Sequence, residues 1–236
     1  AGAVGWLARW RRAADAAGAV LAEHVAARPL SGLAIAREVA AAAGEARGGS
    51  STLVVGASLA IRDVDLAAAP PTQPGHARIL ANRGLAGIDG TLATASGIAL
   101  GSGRPVRALV GDLTFLHDLA GLARGPLEQE PALQVGVIND DGGAIFATLE
   151  HGHPRWSAEF DRVFGTPHGA DLGALCAGYR VRHQRVGDLD GLRRALAEPV
   201  RGCSVIEVLV SRESVRQERT DLSAAARSAV VAAFAE

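Results

Sequence analysis

The sequence predicts an α/β fold, a largely parallel sheet with helices on both faces. Short apolar runs stopped by glycine alternate along the chain with alanine-rich stretches of helical spacing. The runs are continuous rather than alternating apolar and polar, which marks strands covered on both sides. Hydrophobic residues make up 48% of the chain but aromatics only 4%, so the core must be built from Ala, Val, Leu and Ile.

The elements follow in order. Residues 2–46 read as two Ala-rich helices. Trp6, Leu7, Trp10, Ala14, Ala17, Val20 and Leu21 recur at helical spacing, Arg28-Pro29 breaks the pattern, and a second helix over 33–43 leads to the Gly48-Gly49-Ser50 turn. The run Thr52-Leu53-Val54-Val55, halted at Gly56, is a buried strand. A helix over 90–102 precedes a strand at 107–110, a helix over 112–124 and a third strand at 133–138. Short helices at 157–163 and 171–178, a weak strand at 181–186, a helix at 188–197, a strong strand at 204–210 and a helix at 224–235 complete the chain.

Composition excludes several function classes. The 236 residues carry 24 basic and 25 acidic side chains, without the basic footprint of a nucleic-acid binder. No apolar run approaches the length of a membrane span, and no basic-then-apolar leader opens the sequence, so a cytoplasmic location is expected. Cys176 and Cys203 lie far apart without Cys-x-x-Cys spacing, which predicts two reduced, buried thiols. The chain opens at Ala1 and contains no methionine, as expected of a fragment or processed piece.

Parallel sheets bind ligands beyond the carboxyl ends of their strands. Gly111-Asp112-Leu113-Thr114-Phe115 follows the second predicted strand, and Asn139-Asp140-Asp141-Gly142-Gly143 follows the third. If the strands are neighbours, Asp112 and Asp140, 28 positions apart, meet at one sheet edge. Two carboxylates with exposed backbone oxygens suit a hard cation such as Mg²⁺, which shares its shell with phosphates and water. A helix starting near Asp112 would aim N–H groups at the same phosphates. Singly, Asp112 also reads as an N-cap and Asp140-Asp141-Gly142 as a turn; together they favour a metal–diphosphate site.

Gly111-Asp112, about 26 residues, then Asn139-Asp140-Asp141-Gly142 resembles the thiamine-diphosphate signature, usually Gly-Asp-Gly ending in Asn-Asn. Leu113 departs from the usual glycine and Asp140 from the usual asparagine. A narrower resemblance is to the 2-succinyl-5-enolpyruvyl-6-hydroxy-3-cyclohexene-1-carboxylate synthases of menaquinone biosynthesis. It rests on residues 55–63 (Val-Gly-Ala-Ser-Leu-Ala-Ile-Arg-Asp), 82–90 (Asn-Arg-Gly-Leu-Ala-Gly-Ile-Asp-Gly), 111–115 and 139–146.

This resemblance implies a thiamine-diphosphate-binding fold, with thiamine diphosphate and Mg²⁺ as cofactors. It implies that Asp112, Asp140 and the Gly142 carbonyl hold the metal, and that Ile88, Gly111, Asp112, Leu113, Thr114, Gly142, Gly143 and Ile145 hold the cofactor. Ser58, Arg62 and Arg83 would bind substrate carboxylates, guanidinium being suited to bidentate pairing, while Ile145, Phe146 and Leu149 would line the substrate cavity. The implied reaction decarboxylates 2-oxoglutarate and adds the succinyl-semialdehyde unit to isochorismate.

The activating glutamate is expected on a missing pyrimidine-binding domain of the same or a second subunit of a homodimer or homotetramer. Residues 1–48 are then helices leading in from an upstream domain, and 49–236 the diphosphate-binding domain of a larger enzyme, inactive alone. Another thiamine-diphosphate 2-oxoacid decarboxylase or acetohydroxyacid-type synthase, or a non-catalytic scaffold keeping the fold, are the alternatives. His151-Gly152-His153 lacks a supporting acid and reads as a loop, His117-Asp118 as helix neighbours that do not face each other, and Asp89 as an N-cap.

Overall fold

The computed structural model describes residues 2–28, 30–44, 51–68, 78–82, 84, 87–213 and 215–235. Among these, six strands form one parallel sheet: β1 Thr52–Val55, β2 Arg78–Leu80, β3 Val106–Gly111, β4 Leu133–Asn139, β5 Arg182–Val186 and β6 Cys203–Leu209. Their spatial order is β2-β1-β3-β4-β6-β5. The helices are α1 Gly2–Ala27, α2 Gly32–Gly44, α3 Leu59–Ala67, α4 Thr91–Ser102, α5 Asp112–His117, α6 Ala144–Ala147, α7 Ser157–Phe160, α8 Leu172–Gly178, α9 Leu189–Ala197 and α10 Val215–Ala235.

The continuous apolar runs have a simple cause. Alternate residues of each strand enter separate cores, since successive side chains point to opposite faces. Leu53, Val55, Leu109, Ile206 and Val208 pack with Ile35 and Val39 of α2, Val64 of α3 and Leu192 of α9. Val54, Ala108, Val110, Val135, Val137 and Val205 pack with Leu92 of α4, Phe115 of α5, and Leu172 and Cys176 of α8. The predicted parallel sheet, covered on both faces, is present.

Several elements differ from expectation. β2 is three residues long and mostly exposed, an edge strand with no burial pattern to read. The helix expected over 112–124 stops at His117. Asp118 turns away, and its Oδ2 accepts the N–H groups of Leu92 (2.5 Å) and Ala93 (3.0 Å) in the first turn of α4. Asp118, not Asp89, thus satisfies the free donors of that helix, whose N-cap position is Gly90.

α10 begins at Val215 rather than near 224, because its first turns are polar for reasons of contact rather than solvent. α2, within the 1–48 segment expected to lead in, is part of the sheet's own core. α1 runs along α10, where Trp10 meets Phe234 edge-on at 5.5 Å, and Val25 joins Leu33, Ala67 and Leu222 in a third cluster. Cys176 is buried and Cys203 half-buried, both free thiols. No described helix is long and apolar enough to cross a membrane.

A buried ionic network ties the strand ends that carry the site. Glu207 of β6 is fully buried. Its carboxylate accepts from Asn139 Nδ2 at 2.7 Å, His183 Nε2 at 2.8 Å and Arg185 Nε at 3.0 Å. Burial alone would push this carboxyl up; the Asn139 and Arg185 hydrogen bonds, the Arg185 charge and the His183 bond outweigh it and hold the group below its ordinary range. A depressed acid contributes stability that is present above its unfolded pKa of about 4.3 and lost as pH falls through the folded value. Glu207→Gln should therefore cost about 2 kcal/mol at pH 7, roughly 4–8 °C in melting temperature at this chain length. Melting curves of the two proteins should converge as pH is lowered below about 4.

Candidate active site at the strand tips

The strand order reverses between β1 and β3, since the chain leaves β1 for β2 on one side and returns to β3 on the other. In open α/β sheets such a switch point opens a crevice at the carboxyl ends. Here it is a cleft of about 210 Å³. Ala57 and Ser58 follow β1 into it, Gly111–Thr114 follow β3, Asp140 and Gly142–Phe146 follow β4, and Val210 and Ser211 follow β6. β3 and β4 pair directly, with Gly111 opposite Ile138, so Asp112 and Asp140 stand at the ends of adjacent strands.

Asp112 is 1% exposed. Its Oδ2 accepts the N–H of Gly142 at 2.9 Å and lies 3.2 Å from His168 Nε2, while its Oδ1 accepts the Leu113 N–H at 2.6 Å. It is not an N-cap; Gly111 occupies that position. Asp140 Oδ1 is buried and has no hydrogen-bond partner among the described residues. Burial, and then the neighbouring Asp112 charge, push the Asp140 carboxyl up to about 7. Two shielded carboxylates at adjacent strand tips repel one another, and such a pair is the kind of donor set that suits a cation.

The rest of the Asn139–Gly143 turn is committed elsewhere. Asn139 faces Glu207, and its Oδ1 accepts the Asp141 N–H at 3.0 Å. Asp141 adopts φ 58°, and its Oδ1 accepts the N–H groups of His168 (3.0 Å) and Gly169 (2.8 Å). Arg212 Nη1 donates to the Asp141 carbonyl at 2.7 Å. Gly142 has φ 145°, and a Cβ there would collide with the Gly165 carbonyl oxygen and sit 2.8 Å from Arg212 Nη1. A Cβ on Gly143 would lie 2.5 Å from the Phe164 carbonyl oxygen. Among the described residues no group of three or more His, Cys, Asp or Glu is arranged as a metal cage. A two-carboxylate set suits an ion that completes its shell with carbonyl, phosphate and water oxygens.

Of the other residues singled out in the sequence, Ser58, Ile88, Leu113, Thr114, Ile145 and Phe146 line the cleft. Ser58 holds φ 76°, a strained value for a non-glycine residue of the kind that clusters at functional sites. Arg62 is exposed and outside the cleft wall; its Nη1 donates to the Ser58 carbonyl at 2.6 Å. Leu149 is also outside the cleft wall, 42% exposed. Arg83 lies outside the described residues. His151 stacks on Phe164 with centroids 4.3 Å apart and has no metal-ligand cluster around it among the described residues.

Sequence reasoning missed His168, Arg212, Asp63 and the first turns of α10. Val215, Glu218 and Arg219 form one wall of the cleft, and Arg219 pairs with the buried Asp63. Arg216 Nη1 donates to the carbonyls of Ala147 (2.8 Å) and Leu149 (2.7 Å), fastening α10 to the segment after α6. The signal available was the position of Ser211–Arg219 just beyond β6, at the same sheet edge as both motifs.

No family model matches the chain. It is 48% identical over 213 residues to a 2-succinyl-5-enolpyruvyl-6-hydroxy-3-cyclohexene-1-carboxylate synthase of a Nocardioides species, covering 89% of this chain and 39% of that protein. It is 49% identical over 231 residues to the synthase of the same name from Kineococcus radiotolerans, covering 98% of this chain and 40% of that protein. The similarity to these synthases runs through nearly the whole of this chain. The chain spans about two fifths of the length of these relatives. Benzoylformate decarboxylase from Polynucleobacter necessarius shares the fold, with a TM-score of 0.59 and 23% identity over 79% of this chain and 34% of that one.

The Gly142 backbone is tightly constrained, with φ 145° and the Gly165 carbonyl against the place of a Cβ. Gly142→Ala combines a backbone angle that L-residues rarely adopt with a collision against backbone, and should cost about 2–3 kcal/mol in urea unfolding. Gly84→Ala, also at positive φ but with none of the described residues within 4 Å of its Cβ, should cost less, about 1 kcal/mol.

Proposed function

We propose that this chain is the diphosphate-binding part of a thiamine-diphosphate- and Mg²⁺-dependent synthase of menaquinone biosynthesis. The complete enzyme decarboxylates 2-oxoglutarate and adds the succinyl-semialdehyde unit to isochorismate. One observation carries the cofactor reading: the buried Asp140 Oδ1, without a partner among the described residues, beside the buried Asp112 at neighbouring strand tips. The similarity to these synthases supports the choice of reaction.

In this reading Asp112, Asp140 and the Gly142 carbonyl hold Mg²⁺. Gly111, Leu113, Thr114 and Gly143 flank the diphosphate, and Ile88 and Ile145 give the cofactor apolar support. Thiamine diphosphate, when bound, supplies a thiazolium carbon that stabilises carbanion character at the substrate. The chain's own residues bind and orient. Ser58, Arg62 and Arg83 take the anionic groups of two dicarboxylate substrates, and each charge-assisted hydrogen bond is worth about 1.5–3 kcal/mol. Arg62 spends one of its five donors on the Ser58 carbonyl, which links the two residues. Ile145 and Phe146, which line the cleft, exclude water from the reacting groups.

The activating glutamate comes from a pyrimidine-binding domain of the same or a second subunit, so the working unit is a homodimer or homotetramer in the cytoplasm. The relatives' greater length leaves room for that domain.

In the full-length synthase, Asp112→Ala should abolish Mg²⁺-dependent retention of thiamine diphosphate through gel filtration. Asp140→Asn should keep retention within about tenfold, because a neutral amide oxygen still ligates and the like-charge repulsion is gone. The same enzyme should release carbon dioxide from 2-oxoglutarate and not from pyruvate. Full retention by Asp112→Ala sinks the metal assignment; turnover of pyruvate alone sinks the substrate assignment.

A further inference from the structure

A carboxylate can bind a cation tightly only if its plane is held, since rotation about its last side-chain bond is otherwise broad. Asp112 is held by three donors, and two belong to the immediate motif: Leu113 N–H on Oδ1 and Gly142 N–H on Oδ2. The third, His168, stands 56 residues away in sequence. Its imidazole is only 14% exposed, and its Nδ1 receives the Ala170 N–H at 2.9 Å. Because that backbone group can only donate, Nδ1 must accept, which leaves the proton of the neutral ring on Nε2, facing Asp112 Oδ2 at 3.2 Å.

The same short segment grips the second tip. The main-chain N–H groups of His168 and Gly169 both end on Asp141 Oδ1, at 3.0 and 2.8 Å. The Gly165 carbonyl accepts the Gly143 N–H at 2.8 Å. Residues 165–170 therefore cross the ends of β3 and β4 and bond to both. A histidine that served only to fill space would need neither a fixed tautomer nor a carboxylate partner.

We propose that His168 is a positioning residue, which through its Nε2–H sets the orientation of Asp112, and that the 165–170 segment is a strap locking the two strand tips at the spacing a divalent cation requires. The assignment rests on the metal reading above. Groups of this kind, bonded to a ligand rather than to the ion, typically change metal affinity 10–100-fold when removed.

The test is Mn²⁺ binding to the full-length synthase, followed by electron paramagnetic resonance with thiamine diphosphate present, alongside melting of the metal-free protein. His168→Phe keeps the ring volume and loses the donor; it should raise the Mn²⁺ Kd about tenfold. His168→Gln returns an N–H to the Nε2 position and should restore affinity to within about threefold of the parent. A merely structural histidine would lower the metal-free melting temperature without this rescue. Should His168→Phe fail to fold, His168→Asn can still accept from Ala170 but cannot reach Asp112, and should show the same weakening. Unchanged Mn²⁺ affinity in His168→Phe or His168→Asn, or equal loss in Phe and Gln variants, overturns the proposal. Asp112→Ala separates the two levels: if it loses Mn²⁺ while the His168 variants do not, only the strap falls; if it keeps Mn²⁺, the metal site falls and the strap with it.

Discussion

Two carboxylates that repel each other are kept together, away from water, at the ends of two hydrogen-bonded parallel strands. Everything around the cleft follows from that constraint. The β3–β4 register leaves Asp112 and Asp140 no separate exits, because Gly111 and Ile138 are paired immediately before them. Burial disfavours the charged form of Asp140 and the Asp112 charge adds to that, which is why its carboxyl rises to about 7. The fold supports such an arrangement only by bracing it from several sides: Glu207 fixes Asn139, Asp141 takes the strap's backbone donors, and Arg212 holds the Asp141 carbonyl. Each brace is charged or charge-assisted, as suits a place where an unbraced turn would relax outward.

The other side of the cleft depends on long-range closure. α10 returns from β6 across the sheet edge and is fastened twice, by Arg216 to the segment after α6 and by Arg219 to Asp63 on α3. α1 then lies along α10 and completes that layer. The N-terminal helices are thus packed into the same body as the sheet: α2 in its core and α1 against its last helix. The strained Ser58, the N-cap position of α3 shortly after β1, sits within this wall, with Arg62 bonded to its carbonyl. A backbone strain here is tolerable because α3 is anchored on both sides, by Val64 in the core and Asp63 in the ion pair.

Much of this was legible in the sequence because it is local. The strands β1, β3, β4 and β6 announce themselves as continuous apolar runs, and the polar-glycine clusters right after β3 and β4 mark the functional edge. β2 was hidden because three exposed residues carry no periodic burial. The start of α10 was hidden because its arginines and acids read as a solvated loop, whereas they face the cleft and its neighbours. The expected helix over 112–124 ended early because Asp118 finds better use for its carboxylate on the backbone of α4, 25 and 26 residues upstream, than in continuing its own helix. Arg62 lies in a motif, and motif position does not say on which side of a wall a side chain emerges.

The sequence by itself determined the layering of the fold and the two acidic residues that stand where strands end at the cleft, because these depend on spacing along the chain. Tertiary structure alone decided that the acids meet at paired strands, that one carboxylate oxygen has no partner among the described residues, that His168 bonds Asp112 and that α10 walls the cleft. Whether a polar group is satisfied depends on neighbours brought together from segments scores of residues apart, and no local pattern encodes them.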